Sequence, residues 1–112
     1  MMLYKKNCVP CSGNILPFSR SEINKCLKKL KSWKVNKNEK KAFYLFKNYK
    51  FKNFLQSLEF VKKTSAIAER EGHHPDINFG WGYAKILIYT HAINGLSESD
   101  FILASKIDRI SV

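Results

Sequence analysis

The amino-acid sequence predicts an α+β fold in which a four-stranded antiparallel sheet carries three helices on one face. Two pairs of short segments alternate apolar and polar residues, and a tight turn joins each pair, as in β-hairpins. A segment with helical periodicity lies between the two pairs, and a capped helix stands at either end. The predicted order is therefore α-β-β-α-β-β-α, and two hairpins separated by a helix favour an antiparallel sheet.

The first helix and the first hairpin follow an N-terminal segment without a periodic pattern. Residues 1–18 contain two prolines and a glycine, so we expect them to be irregular. Ser19 and Glu22 form a predicted capping box, because the serine side chain can cap the helix while the glutamate reaches back. The first hairpin is predicted within residues 33–46, with its connection at residues 39–40.

Residues 51–71 form the clearest predicted helix. One side of this helix is apolar at ~100° per residue, and we expect that side to pack on the sheet; it carries Phe51, Phe54, Leu55, Leu58, Val61 and Ala68. Phe60 and Ile67 lie ~160–180° from Phe51 at that spacing, and we expect another copy of the chain to cover this second face. Gly72 ends the predicted helix, because glycine adopts the left-handed cap conformation without strain.

The second hairpin and the last helix complete the predicted fold. The hairpin is predicted within residues 77–90, with its turn at residues 80–83. Residues 94–95, Asn-Gly, turn the chain again. Ser97 and Asp100 then form a second predicted capping box at the start of the last helix.

Length and composition favour a single domain that spans residues 1–112, since 45% of the residues are hydrophobic. No apolar run approaches the ~18 residues of a membrane span. The three cysteines are an odd number, which argues against a disulfide framework and predicts a cytoplasmic location. Cys8 and Cys11 have the CxxC spacing of redox and zinc sites, but no second pair accompanies them.

The formal net charge is +11, and it is unevenly distributed. Between Lys25 and Lys52 there are eleven lysines and one acidic residue, Glu39. Such a surface attracts anions, but lysine charge does not read base sequence, and the chain has only three arginines. We therefore interpret this region as a solvated surface, and we expect any nucleic-acid binding to be weak, nonspecific and salt-dependent.

All three histidines of the chain lie between residues 73 and 91. His73 and His74 follow the long helix, whose C-terminal partial negative charge favours a protonated imidazole. His91 follows the second hairpin, and a hairpin brings its last residue back beside its first, so His91 can lie near His73 and His74. Because imidazole titrates near pH 7, the three side chains are candidate general acids and bases.

Two other interpretations of the histidines remain. Each one alone is compatible with an ordinary surface or core position. Three imidazoles can also bind a catalytic zinc, but adjacent histidines are poorly spaced for chelation from one regular element, and the HExxH pattern is absent. We therefore predict no metal site.

The three histidines belong to a longer motif, which is part of a pattern that extends over nearly the whole chain. The motif reads Glu69-x-x-x-His73-His74-Pro75-Asp76, then Thr90-His91, then Gly95-Leu96-Ser97-Glu98-x-Asp100. It resembles the signature of the pterin-4a-carbinolamine dehydratases. The resemblance implies a cofactor-free hydro-lyase that converts 4a-hydroxytetrahydropterin into quinonoid dihydropterin and water, in the recycling of a tetrahydrobiopterin-type cofactor.

The resemblance also implies roles for individual residues. His73 and His91 would be the acid–base pair, and His74 would bind and orient the pterin. Substrate-binding positions would be Glu69, Gly72, Tyr89, Thr90, Ala92 and Asp100, although Asp100 has a second interpretation as a helix cap only. Gly72 and Tyr89 depart from residues that are common in the family, which bears on substrate fit.

The family resemblance further implies assembly and an alternative function. Its members are commonly tetramers with the long helix near the centre, so we expect a homotetramer, with a dimer as the smaller alternative. Some animal members also act as dimerisation cofactors for a transcription factor. The alternative function is therefore an oligomeric binding module that uses the basic surface.

Overall fold

The computed structural model describes residues 3–6 and 16–112. The helices and strands are α1 (Arg20–Leu27), β1 (Lys34–Lys37), β2 (Phe43–Lys50), α2 (Phe54–Glu71), β3 (Asp76–Gly80), β4 (Tyr83–Ile88) and α3 (Glu98–Ile107), with short 3-10 turns at Leu3–Lys5 and His91–Ile93. The strands form one antiparallel sheet in the order β1-β2-β4-β3. The predicted α+β class and the order α-β-β-α-β-β-α are confirmed.

The two faces of the sheet differ in composition. Ala84, Ile86 and Ile88 of β4 are fully buried and face the helices. Because side chains alternate along a strand, Lys85 and Leu87 belong to the opposite face, here called the open face. Leu45 of β2 pairs with Ile88 and shares its side of the sheet, so the neighbours of Leu45, residues 44 and 46, also belong to the open face.

Local chemistry sets the ends of the helices. The predicted capping box of α1 is present, since the Ser19 N–H donates to Glu22 Oε1 at 2.9 Å. Helix α2 begins three residues later than predicted, because the Asn53 side chain caps it and accepts from the Gln56 N–H. Gly72 ends α2 with φ of 65°, as predicted.

The predicted inner side of α2 is wrong in part: Ala68 is buried and Val61 packs on the core as predicted, but the other buried positions lie on a different side of the helix. The buried residues of this helix are Ser57, Phe60, Thr64 and Ala68. Phe60 is 2% exposed and packs on the rings of Tyr49 and Phe51, with centroid distances of 4.5 and 5.0 Å. Phe54 and Leu55, by contrast, are 47% and 65% exposed. The expected second face is therefore the core side, and part of the expected core side is exposed.

Two buried hydroxyl residues explain why the sequence did not indicate the core side of α2. Ser57 and Thr64 interrupt the apolar pattern on the side that packs, yet both side chains are buried. The Thr64 hydroxyl donates to the Phe60 carbonyl of its own helix at 2.8 Å, which satisfies it without water. Ile67 is partly buried against the same core.

Other boundaries differ by smaller amounts. Strand β2 continues to Lys50, past the predicted end of the first hairpin. The second turn consists of residues 81–82, with Gly82 at φ of 79°. Most of the segment predicted to be irregular, including Cys8 and Cys11, lies outside the described residues. Within the described ranges, none of the helices is both long and apolar enough to span a bilayer.

Candidate active site

The end of α2 positions the first two histidines. Gly72 reverses the chain in the left-handed conformation, and the His73 N–H donates back to the Ala68 carbonyl at 3.2 Å. Pro75 prevents the helix from continuing, since it lacks the N–H that the next turn would need. His73 and His74 therefore lie in a short connection that leads directly into β3.

The second hairpin returns His91 to this connection. Asp76 at the start of β3 pairs with Leu87 near the end of β4, so the residues after β4 lie beside the residues before β3. The Thr90 N–H then donates to the Gly95 carbonyl at 2.9 Å, which closes a small loop. His91 begins the 3-10 turn inside that loop.

All three histidines line one cavity of about 360 Å³, here called the histidine cavity. The predicted substrate-binding residues Gly72, Tyr89, Thr90 and Ala92 line it as well. Pro75 and Asp76 complete the lining and had no predicted contact role. Both stand in the sequence motif directly after the histidine pair, and the pairing of Asp76 with Leu87 explains why this position faces the site.

His73 is held by a buried carboxylate. Its Nε2 lies 2.7 Å from Asp100 Oδ1, and the Asp100 side chain is fully buried. The other oxygen of Asp100 accepts from the Thr90 hydroxyl at 2.7 Å and from the Ser97 N–H at 2.8 Å. A carboxylate surrounded by donors accepts from the ring as well, so Nε2 carries the proton, and Nδ1 has no hydrogen-bond partner among the residues that the structure describes.

The other two histidines are more exposed. His74 Nε2 contacts the Glu69 carboxylate, and both side chains are more than half exposed, so this contact orients the ring and adds little stability. The His91 ring packs on Tyr89 with a centroid distance of 4.1 Å. Among residues 3–6 and 16–112, no side chain forms a hydrogen bond with His91.

Glu69 and Asp100 contact histidines without lining the cavity. The capping interaction predicted for Asp100 is present, because it accepts the N–H of its N-cap residue, Ser97. One carboxylate of Asp100 therefore caps α3 and holds His73. Its predicted substrate-binding role stays a prediction. Within the described part of the chain, no three His, Cys, Asp or Glu side chains are grouped as metal ligands.

Comparison with known proteins identifies the sequence family. Residues 16–110 match the family Pterin 4 alpha carbinolamine dehydratase. A curated relative from Rickettsia canadensis is 47% identical over 108 residues, which is 96% of this chain and 95% of the relative. Another from Rubrobacter xylanophilus is 42% identical and covers 96% of this chain and 97% of its own. Both carry the name "putative pterin-4-alpha-carbinolamine dehydratase".

Two solved structures share the fold. One is described as a transcriptional coactivator/pterin dehydratase from Brucella melitensis; it has a TM-score of 0.73 and 27% identity, and covers 82% of this chain and 95% of its own. The other is described as a pterin dehydratase-like protein that is a RuBisCO assembly factor in the alpha-carboxysome. Its TM-score is 0.59 at 28% identity, and the match covers 70% of this chain and 87% of that one. Sequence, fold and the histidine motif agree, and the chain belongs to the pterin-4a-carbinolamine dehydratase family.

Proposed function

We propose that this chain is a hydro-lyase that dehydrates 4a-hydroxytetrahydropterin to quinonoid dihydropterin. The observation that supports this most strongly is the histidine cavity, in which three imidazoles converge and one of them is held by a buried carboxylate. Membership of the dehydratase family supports the same reaction class.

The chemistry requires only proton transfers. The C4a–O bond breaks, and the hydroxyl group leaves as water after it receives a proton. N5 loses its proton, and the electron pair of that N–H bond forms the C4a=N5 double bond. The electron pair of the C4a–O bond leaves with the water, and the N–H pair replaces it, so there is no net oxidation or reduction. One acid and one base are therefore sufficient, and the reaction needs no redox cofactor.

We assign the acid–base pair to His73 and His91. In its neutral form His73 can accept a proton at Nδ1, and in its protonated form it can donate one there, because Asp100 occupies the other nitrogen. The neutral member of the pair takes the N5 proton while the protonated member supplies a proton to the hydroxyl group. These transfers leave the total charge of the pair unchanged but exchange the protonation states of its members. A proton that moves between them through solvent restores the starting arrangement.

We assign His74 to binding and orientation of the pterin, with Glu69 fixing its ring. The residues that line the cavity around the histidines would contact the pterin through backbone and side chains: Gly72, Tyr89, Thr90 and Ala92. Asp100 is fully buried, so its contribution to substrate binding would be made through His73 and Thr90.

The test is the decay of chemically generated 4a-hydroxytetrahydropterin, followed by absorbance with and without the protein. We expect the protein to accelerate the decay, and a metal chelator to leave the acceleration intact. A decay rate equal to that in buffer would contradict the function. Loss of activity on chelation would contradict a mechanism based on imidazoles alone.

We also propose that the chain forms a homotetramer, or a dimer as the smaller closed assembly. An apolar patch at the start of α2 and the β3–β4 turn includes Phe54, Leu55 and Trp81, which is 71% exposed. The ring of Phe54 packs on Phe79 of β3 at 5.8 Å, which joins the helix side of the patch to the strand side. Such a patch on one chain favours burial against a second copy.

A binding role is the second candidate function. The descriptions of the two solved structures, a coactivator and an assembly factor, favour it. It would use the basic region of residues 25–52 or the apolar patch rather than the histidine cavity. A folded protein without activity on any 4a-hydroxytetrahydropterin would favour this role over the dehydratase.

A further inference from the structure

A buried ion pair joins the end of α2 to α3. Lys106 Nζ donates to Glu71 Oε2 at 2.8 Å, and only 11% and 5% of the two side chains are exposed. Arg70 Nε also approaches this oxygen, at 3.8 Å, but the Arg70 side chain is mostly exposed, so solvent screens its charge. Of these two cations, Lys106 is therefore the closer and less screened partner of the Glu71 carboxylate.

The same short stretch of chain contacts α3 at a second point. Glu71 is the last residue of α2, and His73, two residues later, lies 2.7 Å from Asp100 in the first turn of α3. Lys106 lies in the last turn of α3, about 9 Å along the helix axis from Asp100 at 1.5 Å per residue. One contact alone would let the stretch pivot about it, whereas two separated contacts fix both its position and its direction.

Gly72, in the middle of residues 71–73, adds no packing against α3. It has no side chain, and no atom of α3 lies within 4 Å of the position that a β-carbon would take there. The His73 N–H donates to a carbonyl of α2 at 3.2 Å, which anchors the backbone on the α2 side. On the α3 side, the polar contacts of Asp100 and Lys106 hold this stretch in place.

We propose that the ion pair between Lys106 and Glu71 positions His73 for proton transfer. This inference rests on the proposed dehydratase function and adds two positioning residues to it. Neither side chain lines the histidine cavity, so both act through the segment that carries His73. Their effect reaches the reaction through the contact between His73 and Asp100, because that contact keeps the proton on Nε2 and leaves Nδ1 for the pterin.

Removal of the Lys106 ammonium group should displace this segment. In Lys106→Met the buried Glu71 carboxylate loses this cation, and a buried charge without its partner is costly, so the last turn of α2 should shift toward solvent. Since misplacement of a catalytic group by about 1 Å can cost about 10²-fold, we expect kcat per folded molecule to fall roughly 10-fold. Lys106→Arg keeps the charge and should restore most of the activity.

The experiment measures turnover of 4a-hydroxytetrahydropterin, normalised to the folded fraction, in Lys106→Met, Lys106→Arg and Lys63→Met. Lys63 is the matched control, because it also ties α2 to the chain after α3, through the Ser111 carbonyl at 2.7 Å, but in an exposed position. It lies about 12 Å along α2 from Glu71, so kcat of Lys63→Met should match that of the wild type. Glu71→Gln removes the same ion pair from the other helix and replaces Lys106→Met if that variant does not fold.

A double-mutant cycle separates positioning from a general loss of rigidity. When Lys106 acts through the contact between His73 and Asp100, its removal costs little further kcat in a protein that already carries Asp100→Asn. Independent effects would instead multiply. A fully multiplicative loss in the double variant would therefore overturn the proposal.

A measurement on the His73 ring does not depend on the reaction. Nitrogen chemical shifts in NMR report which ring nitrogen of neutral His73 carries the proton. We expect Nε2 in the wild type and in Lys63→Met, and a mixture of both forms in Lys106→Met.

Wild-type kcat or an unchanged proton position in the folded Lys106→Met protein would overturn the proposal, as would an equal loss of kcat in Lys63→Met. A wild-type protein that turns over no 4a-hydroxytetrahydropterin would instead contradict the dehydratase function. The proton position on His73 would then still test whether the ion pair holds this ring.

Discussion

Replacement of Asp100 by Asn separates its capping role from its contact with His73. The carboxylate accepts from the His73 ring, the Thr90 hydroxyl and the Ser97 N–H at 2.7–2.8 Å, and from the Ser97 hydroxyl at 3.4 Å. An amide offers one acceptor oxygen and an NH₂ group that can only donate. If the amide oxygen keeps the Thr90 and Ser97 contacts, the NH₂ group faces His73 Nε2, which can accept from it only after its own proton has moved to Nδ1.

We expect Asp100→Asn to lower both the free energy of unfolding and the activity. For stability, loss of a buried charge-assisted hydrogen bond costs about 1.5–3 kcal/mol, so we expect unfolding to become easier by roughly that amount. For activity, an amide does not fix the proton of His73 on Nε2. Loss of a group that orients a functional histidine typically reduces activity by about 10- to 100-fold, and we expect kcat per folded molecule to fall within that range.

The assay combines urea unfolding with turnover of 4a-hydroxytetrahydropterin, normalised to the folded fraction. Ser97→Ala is the control, because it removes a hydroxyl from the same cap and leaves the contact between Asp100 and His73 in place. We expect it to lower stability with little change in turnover. A destabilised Asp100→Asn protein with wild-type turnover per folded molecule would show that Asp100 acts only as a cap.

Three further predictions follow from burial and ring contacts. Leu55→Glu should dissociate the proposed homo-oligomer into a smaller folded species in light scattering. Phe60→Glu should instead unfold the chain, because it buries a charge in the core, and a folded Phe60→Glu protein would contradict this packing. Burial raises the pKa of the Tyr49 hydroxyl above its ordinary value, and the hydrogen bond to the Asp108 carboxylate raises it further. The folded state therefore favours the protonated Tyr49 hydroxyl, and the stability that this provides is complete below about pH 10 and is lost as the pH rises further. Tyr49→Phe should reduce the loss of stability at alkaline pH, measured by urea unfolding. Equal losses in the variant and the wild type would refute this. Tyr89→Ala should lower kcat more than Tyr89→Phe does, since the ring packs on His91. Equal losses in the two variants would assign the effect to the hydroxyl, which both lack.

Features set by neighbouring residues could be predicted from the sequence. The caps at Ser19 and Ser97 and the stop at Gly72 depend on side chains within a few residues, and all three are present. The element order followed from alternation and turn residues, which are also local. The convergence of the histidines could be expected because one hairpin separates them.

Features that depend on distant residues could not be predicted in the same way. The pattern of α2 contained two apolar stripes, and only packing against Tyr49 and Phe51 decides that Phe60 is inside. Asp100 lies 27 residues from His73, and nothing local to either residue indicates their contact. The cavity of about 600 Å³ beside the histidines likewise needs the β1–β2 loop and the end of β4 side by side. The cytoplasmic location stays a prediction.

The central claim is that His73 and His91 transfer the protons of the dehydration. The most direct measurement is the turnover of 4a-hydroxytetrahydropterin by His73→Ala and His91→Ala, with His74→Ala beside them. Each of the first two should lower kcat by about 10²-fold or more, because a positioned acid or base contributes 10²–10⁴-fold. His74→Ala should weaken substrate binding at least as much as it slows turnover. Near-wild-type rates in both the His73 and the His91 variants would contradict the account.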